Sequence, residues 1–156
     1  MQAKFEKLVQ VGIIVNNLEN AVQNYEKMGI SGWKISAHRN DVPPMEDLKY
    51  DGEEFKEKGI IIKIAIATWA GVELELIEPV ADSKFKTWLE NHGPGIHHMA
   101  IKTDKTYQEL LASYAEEEKR EPWVRGQGIG GIMDFSYLDL RDELGIIFEC
   151  YREDAD

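Results

Sequence analysis

A chain of 156 residues is long enough to bury the core of one compact domain, and its single cysteine, Cys150, rules out an internal disulfide. Asp and Glu number 29 against 18 Lys and Arg, a net charge of −11, so a nucleic-acid backbone would meet a surface of its own sign and is excluded as a partner. Residues 1–8 are charged without an apolar stretch of signal-peptide length, and no apolar run approaches the roughly 20 residues of a membrane span, so the expectation is a soluble, cytoplasmic protein of a reducing compartment with no membrane partner.

In chain order, alternation over Val9–Val15 predicts a strand. Leu18, Ala21, Val22, Tyr25 and Met28 then recur at helical spacing, with Asn17 as N-cap and Gly29 as stop. Asp41–Glu54, with Pro43, Pro44 and many charges, reads as a loop. Ile60–Thr68 and Val72–Ile77 are β-branched runs and read as strands, and Ser83–Asn91 reads as a short helix with Phe85, Trp88 and Leu89 inward. A strand over His98–Thr103 leads to a helix carrying Tyr107, Leu110, Leu111 and Tyr114 on one side, started by Asp104 or Thr106. The glycine-rich Gly126–Gly131 reads as a loop, and the strands Asp134–Leu138 and Gly145–Tyr151 close the chain.

This order contains a repeat. Each half opens with a polar residue ahead of an alternating strand, "QVGIIV" from Gln10 and "HMAIKT" from His98, and continues into an amphipathic helix. Each half closes with a glycine, three residues and a glutamate, "GVELE" ending at Glu75 and "GIIFE" ending at Glu149. Superposed, His98 takes the place of Gln10. Period two then puts Gln10 with Gly12 and Ile14, and His98 with Ala100 and Lys102, and it turns His97 to the opposite face as a packing residue. His38 and His92 read as ordinary loop and helix-end histidines.

If the halves pack with their sheets forming one trough, Gln10, Glu75, His98 and Glu149 converge as an amide oxygen, an imidazole nitrogen and two carboxylates. Such a set, without thiolates, suits a divalent ion such as Zn, Ni, Co or Mn with positions left for water or substrate. Two carboxylates offset the charge of the ion, and either can serve as a base. The matching chemistry is removal of a proton α to a carbonyl. For any one of these residues taken singly, a solvated strand face is the plain reading; their matched places in a repeat favour a site.

With "VGIIVNNLENAVQNYEKMGI", "ELIEP", "WLENHGPGIHHMAI" and "GIIFE" spread over nearly its whole length, the chain resembles the vicinal oxygen chelate superfamily, which includes glyoxalase I, methylmalonyl-CoA epimerase, extradiol dioxygenases and bleomycin-resistance proteins. The resemblance implies an α+β fold in which two βαβββ modules form an open, barrel-like curved sheet around a central metal. Here these would be one domain over 1–156, with modules at about 6–80 and about 94–152. Carried over by position, the metal ligands are Gln10, Glu75, His98 and Glu149, the same residues that the repeat selects. The flank around "GPGIHHMA" is similar to methylmalonyl-CoA epimerases, which usually have histidine where this chain has Gln10. A Gln, Glu, His, Glu set is the pattern of human-type glyoxalase I (lactoylglutathione lyase). "EKG" at Glu57–Gly59 resembles the E-x-G of epimerases, which adds Glu57 to Glu149 and Glu75 as catalytic candidates, whereas Ser31–Glu57 is longer than the corresponding epimerase segment.

The expected function is therefore that of a metal-dependent isomerase or epimerase acting on a small carbonyl or thioester substrate, in a chain that forms a homodimer. Lys34, Arg39, Lys102 and Arg125 are candidate anion contacts. The alternative is a non-catalytic binding protein that sequesters a drug-like molecule, its trough lined from among Trp33, Trp69, Trp88, Trp123 and Tyr137.

Overall fold

In the structure, a computed structural model that describes residues 1–41, 49–54, 58–127 and 134–152, alternation along the chain decides which face each strand buries. In β1 (Phe5–Ile14) the buried residues are Gln10, Gly12 and Ile14, so one face of the strand points into the molecule. Helix α1 (Leu18–Lys27) begins where the Asn17 side chain accepts a hydrogen bond from the Asn20 amide at 2.8 Å, and Gly29 beyond its end takes a φ of 88°. Its Leu18 and Val22 bury against Ala65 and Leu76 on the outer face of the first half.

Four of the described strands were not foreseen. β2 (Lys34–Arg39) is an exposed edge strand with only Ile35 and Ala37 as apolar residues, too short an alternation to stand out, and it is recruited by antiparallel pairing with β5 (Ile60–Trp69). Within the expected loop lies a hairpin of β3 (Lys49–Tyr50) and β4 (Glu53–Glu54). Its turn is Asp51-Gly52, with φ of 49° and 83°, the positive-φ pair whose twist matches that of the strands it joins. β6 (Val72–Pro79), α2 (Lys84–His92, capped by Ser83), β7 (Gly95–Thr103) and α3 (Tyr107–Glu118) follow, with α3 started by Thr106 in a reciprocal cap with Glu109. β8 (Val124–Gln127), the fourth unforeseen strand, takes in the start of the glycine-rich stretch, and β9 (Asp134–Leu140), the single-turn α4 (Arg141–Leu144) and β10 (Ile146–Tyr151) complete the described elements.

All the described strands belong to one ten-stranded sheet in the order β2-β5-β6-β1-β7-β10-β9-β8-β3-β4. In each half the first strand lies parallel to the last, β1 beside β6 and β7 beside β10, and the antiparallel pairing of β1 with β7 joins the halves. The two βαβββ modules of the repeat are thus present. The β3–β4 hairpin leaves its own module and extends the other through Tyr50 opposite Val124. Helix α3 packs Tyr107, Leu110 and Tyr114 on Leu138, Phe148 and Cys150 across the outer face of the second half. On the inner face, Ile62 and Ile64 of β5 belong to the same buried cluster as Phe135 and Tyr137 of β9, with Phe85 of α2 among them. Strands that far apart in the order share a cluster because the sheet curls into an open half-barrel. Among the described residues no helix is long and apolar enough to cross a membrane.

Candidate metal centre

Strand register places the donors. On β1, Gln10 lies opposite Glu73 of β6 and Ala100 of β7, while Gly12 lies opposite Glu75 and His98. On β7, His98 lies opposite Ile147 and Ala100 opposite Glu149 of β10. Passing from one half to the other therefore exchanges Gln10 with His98, Gly12 with Ala100 and Glu75 with Glu149. The repeat read along the chain is a repeat in space, and all four donor side chains meet on the inner face.

They meet at one atom. His98 Nε2 is 3.1 Å from Gln10 Oε1, 3.1 Å from Glu149 Oε2 and 3.4 Å from Glu75 Oε2. The His98 side chain is 0% exposed, with Glu149 at 9% and Glu75 at 12%. Gln10 is oriented from behind: its Nε2 donates to Glu73 Oε1, which leaves Oε1 to face the imidazole. The Tyr137 ring stands edge-on to His98 at 4.9 Å and its side chain hydrogen-bonds Glu149. Burial raises the Tyr137 hydroxyl well above the ordinary phenol range, and the Glu149 and Glu75 carboxylates push it further, so this group stays protonated.

A single N–H cannot serve three oxygens. Glu75 Oε2 and Glu149 Oε2 are buried and face His98 Nε2 as an ion pair without a well-formed hydrogen bond, so the positive charge they face is what offsets their loss of water. Burial by itself would lower the His98 pKa, but the Glu149 and Glu75 carboxylates outweigh it and hold the imidazole at about 9. The cluster is therefore built to surround positive charge. The donor atoms of Glu75, His98 and Glu149 all lie within 4.8 Å of one another, and these residues could hold a metal ion. Carboxylate oxygens with one imidazole fit a divalent cation of intermediate hardness. Cys150, the neighbour of Glu149, alternates to the outer face, where it is buried against α3 and offers the centre no thiolate.

His97 does not point away from His98. Between Gly12 and Ile13 the β1–β7 register jumps from His98 to Ile96, so one step on β1 spans two on β7. This β-bulge breaks the period-two rule locally and turns both imidazoles inward, where both are buried. Their Nδ1 atoms lie 3.1 Å apart. His97 does pack, as expected, but inside a ring of aromatic side chains: Trp123 at 4.8 Å, Trp88 at 5.1 Å and Phe85 at 5.6 Å between centroids.

The other candidates are dispersed. Glu57 lies outside the described residues. His38 sits on β2 rather than in a loop; burial lowers its pKa while the Glu75 carboxylate opposes the shift, which places it within electrostatic reach of the centre. His92 is the helix-end residue expected, stacked on Trp88 at 4.8 Å. Trp33 packs on Tyr25 at the outer face and Trp69 is exposed, so of the proposed trough aromatics Trp88, Trp123 and Tyr137 surround the histidine pair. Arg39 is paired with Asp41 at 2.7 Å, and Lys34, Lys102 and Arg125 are exposed on strands. Glu73, which orients Gln10, was missed, although its spacing of two from Glu75 already put it on the same face.

The family model described as Glyoxalase/Bleomycin resistance protein/Dioxygenase superfamily matches residues 9–130. No curated protein matches the chain. Among solved structures, a variant of Streptomyces coelicolor methylmalonyl-CoA epimerase in complex with 2-nitronate-propionyl-CoA is similar at TM-score 0.66 and 20% identity, covering 97% of this chain and 97% of that one. A hypothetical protein from Bacillus halodurans C-125 is similar at TM-score 0.63 and 22% identity, covering 94% of each chain. Methylmalonyl-CoA epimerase from Mycobacterium tuberculosis is similar at TM-score 0.61 and 16% identity, covering 98% of this chain and 91% of that one. At such identities the likeness is one of fold.

Proposed function

Since the chain belongs to the Glyoxalase/Bleomycin resistance protein/Dioxygenase superfamily, we propose that it is a metal-dependent isomerase or epimerase that moves a proton α to a carbonyl or thioester. The observation that carries this reading is the convergence of Gln10 Oε1, Glu149 Oε2 and Glu75 Oε2 on His98 Nε2, with both carboxylate oxygens buried and without a well-formed hydrogen bond. Gln10, Glu75, His98 and Glu149 would hold a divalent ion, Zn, Ni, Co or Mn. When bound, such an ion polarises a substrate oxygen and so lowers the barrier to losing the neighbouring proton.

The residues divide the remaining work. A carboxylate of Glu149 or Glu75 takes the α-proton and returns it at the same carbon face for exchange or at the adjacent carbon for isomerisation, whereas for epimerisation the other carboxylate delivers a proton to the opposite face. Tyr137 holds Glu149 through its hydrogen bond and, remaining protonated, adds no negative charge. The inner-face cluster of Ile64, Ile77, Ile147 and Tyr137 walls the centre with apolar surface, which limits water around the exposed carbanionic carbon. Two substrate classes fit. The fold neighbours named as methylmalonyl-CoA epimerases favour an acyl-CoA thioester, while the Gln, Glu, His, Glu donor set favours the hemithioacetal of glutathione with a 2-oxoaldehyde.

The test is calorimetric titration of chelator-stripped protein with each of the four ions, repeated on His98→Ala, followed by α-deuterium incorporation from heavy water into methylmalonyl-CoA and into the glutathione–methylglyoxal adduct. Binding near one ion per chain that is lost in the variant, with exchange into one substrate, is the expected result. Absence of ion binding by the wild type would remove the metal-enzyme reading and leave a metal-free small-molecule binder of the same fold.

A further inference from the structure

The β-bulge of β7 brings a second imidazole to the centre, and the proposed function gives it no task. His97 and His98 face each other through Nδ1 atoms 3.1 Å apart, both deeply buried. An Nδ1–Nδ1 contact of that length holds one shared proton: one ring donates and the other accepts. Two arrangements exist, and they differ in what His98 presents to the carboxylates. If His97 donates, neutral His98 carries its proton on Nε2, aimed at Gln10, Glu75 and Glu149, and has no lone pair for a cation. If His98 donates, Nδ1 keeps its proton when a cation replaces the one on Nε2, and the Nε2 lone pair is then directed at the three oxygens' common centre.

The surroundings of His97 favour the second arrangement. With its Nδ1 accepting, the His97 proton lies on Nε2, an atom that is buried without a hydrogen-bond partner. Around that ring are the faces and edges of Trp123, Trp88 and Phe85, at 4.8, 5.1 and 5.6 Å between centroids. Electron-rich ring faces tolerate an N–H directed at them, as a weak hydrogen bond to the π-system, whereas a bare nitrogen lone pair in the same place gains nothing. Trp88 stands at 86° to His97, the perpendicular geometry such a contact uses.

We propose that His97 is a positioning residue for the metal centre: its Nδ1 accepts the His98 Nδ1–H, which fixes the His98 tautomer and ring orientation with Nε2 turned to Gln10, Glu75 and Glu149. This rests on the metal reading above. Histidine ligands elsewhere take this support from a carboxylate or a backbone carbonyl; here a neutral aromatic-boxed imidazole takes that place, and the inserted residue of the bulge delivers it.

The test uses long-range ¹H–¹⁵N correlation spectra of the imidazoles together with zinc titration. In wild-type protein His97 is expected to be protonated at Nε2 only, metal-free and zinc-loaded, and His98 at Nδ1 in both states, with a proton on its Nε2 as well until zinc displaces it. Zinc affinity is expected to fall about 10–100-fold in His97→Phe, which keeps a ring in the box but removes the acceptor, and to recover in His97→Asn, whose Oδ1 can accept at a similar place. Unchanged affinity in His97→Phe, or a proton on His97 Nδ1 in the wild type, would overturn the assignment. The metal-free spectrum separates this inference from the reading beneath it: if the wild type binds no ion, a proton on His98 Nδ1 accepted by His97 still supports the positioning role, and one on His97 Nδ1 removes it. Because that spectrum needs only wild-type protein, misfolding of a variant does not decide the matter.

Discussion

The imidazole of His98 occupies the space that a side chain at Gly12 would need: a Cβ built on Gly12 falls 1.9 Å from His98 Cε1 and 2.2 Å from Nδ1. Gly12 is the strand partner of His98, and neither ring face nor backbone can retreat, because His97, Tyr137 and the carboxylates enclose the imidazole. Its counterpart in the other half is Ala100, opposite Gln10, where a flexible amide leaves room for a methyl. Gly12→Ala is expected to cost about 1–3 kcal/mol by overpacking and to abolish ion binding, while Ala100→Gly costs about 0.5–1 kcal/mol by loosening a strand and leaves the centre in place. Urea denaturation and ion titration of the two variants check this, and intact ion binding in Gly12→Ala would show that His98 is not held as described.

Glu149→Gln and Glu75→Gln each retain an oxygen donor while removing a base. The variant at the proton-transferring position is expected to lose about 10²–10⁴-fold in α-deuterium exchange while still binding an ion more weakly; the other is expected to lose mainly ion affinity. Stripping the ion with a chelator should stop exchange in the wild type, and restoring it should recover the rate. Equal loss of exchange and of ion binding in both variants would mean that neither carboxylate acts independently of the ion.

Cys150 is 5% exposed, and burial, reinforced by the Glu149 charge, pushes its thiol far above the ordinary range. A thiol is nucleophilic only as thiolate, so the native protein at pH 8 is expected to resist a thiol-reactive dye and to titrate as one thiol per chain once unfolded. Rapid labelling of folded protein would contradict the packing of β10 against α3.

The first turn of α3 is closed by Thr106 and Glu109, whose carboxylate accepts from the Thr106 amide at 2.8 Å. Thr106→Ala is expected to destabilise the chain by about 1 kcal/mol, read as a lower urea midpoint, with ion affinity unchanged. These hydrogen bonds hold the Glu109 carboxyl below its usual range, so their contribution is present above the ordinary carboxylate pKa and is lost as the pH falls through the depressed value. The midpoint difference between wild type and Thr106→Ala should therefore shrink in acid.

Much of this molecule is legible along the chain because side-chain direction in a strand is a local property. Period two puts Gln10 with Gly12 and His98 with Ala100, and the repeat of a polar opening and a glutamate close is enough to pair Gln10 with His98 and Glu75 with Glu149. Caps at Asn17, Ser83 and Thr106 are equally local. The Asp51-Gly52 turn was local too, a hairpin signal hidden among charges and prolines.

Tertiary structure alone decided the rest, because it depends on partners distant in sequence. A bulge exists only by comparison of two strands, and so the inward turn of His97 is set by β1, not by β7. The β3–β4 hairpin crosses to the other half because β8 offers it an edge. Gln10 presents oxygen rather than nitrogen to His98 because Glu73, 63 residues further on, takes its amide protons. Composition and period choose which residues face inward; the cross-strand register chooses which atoms meet there.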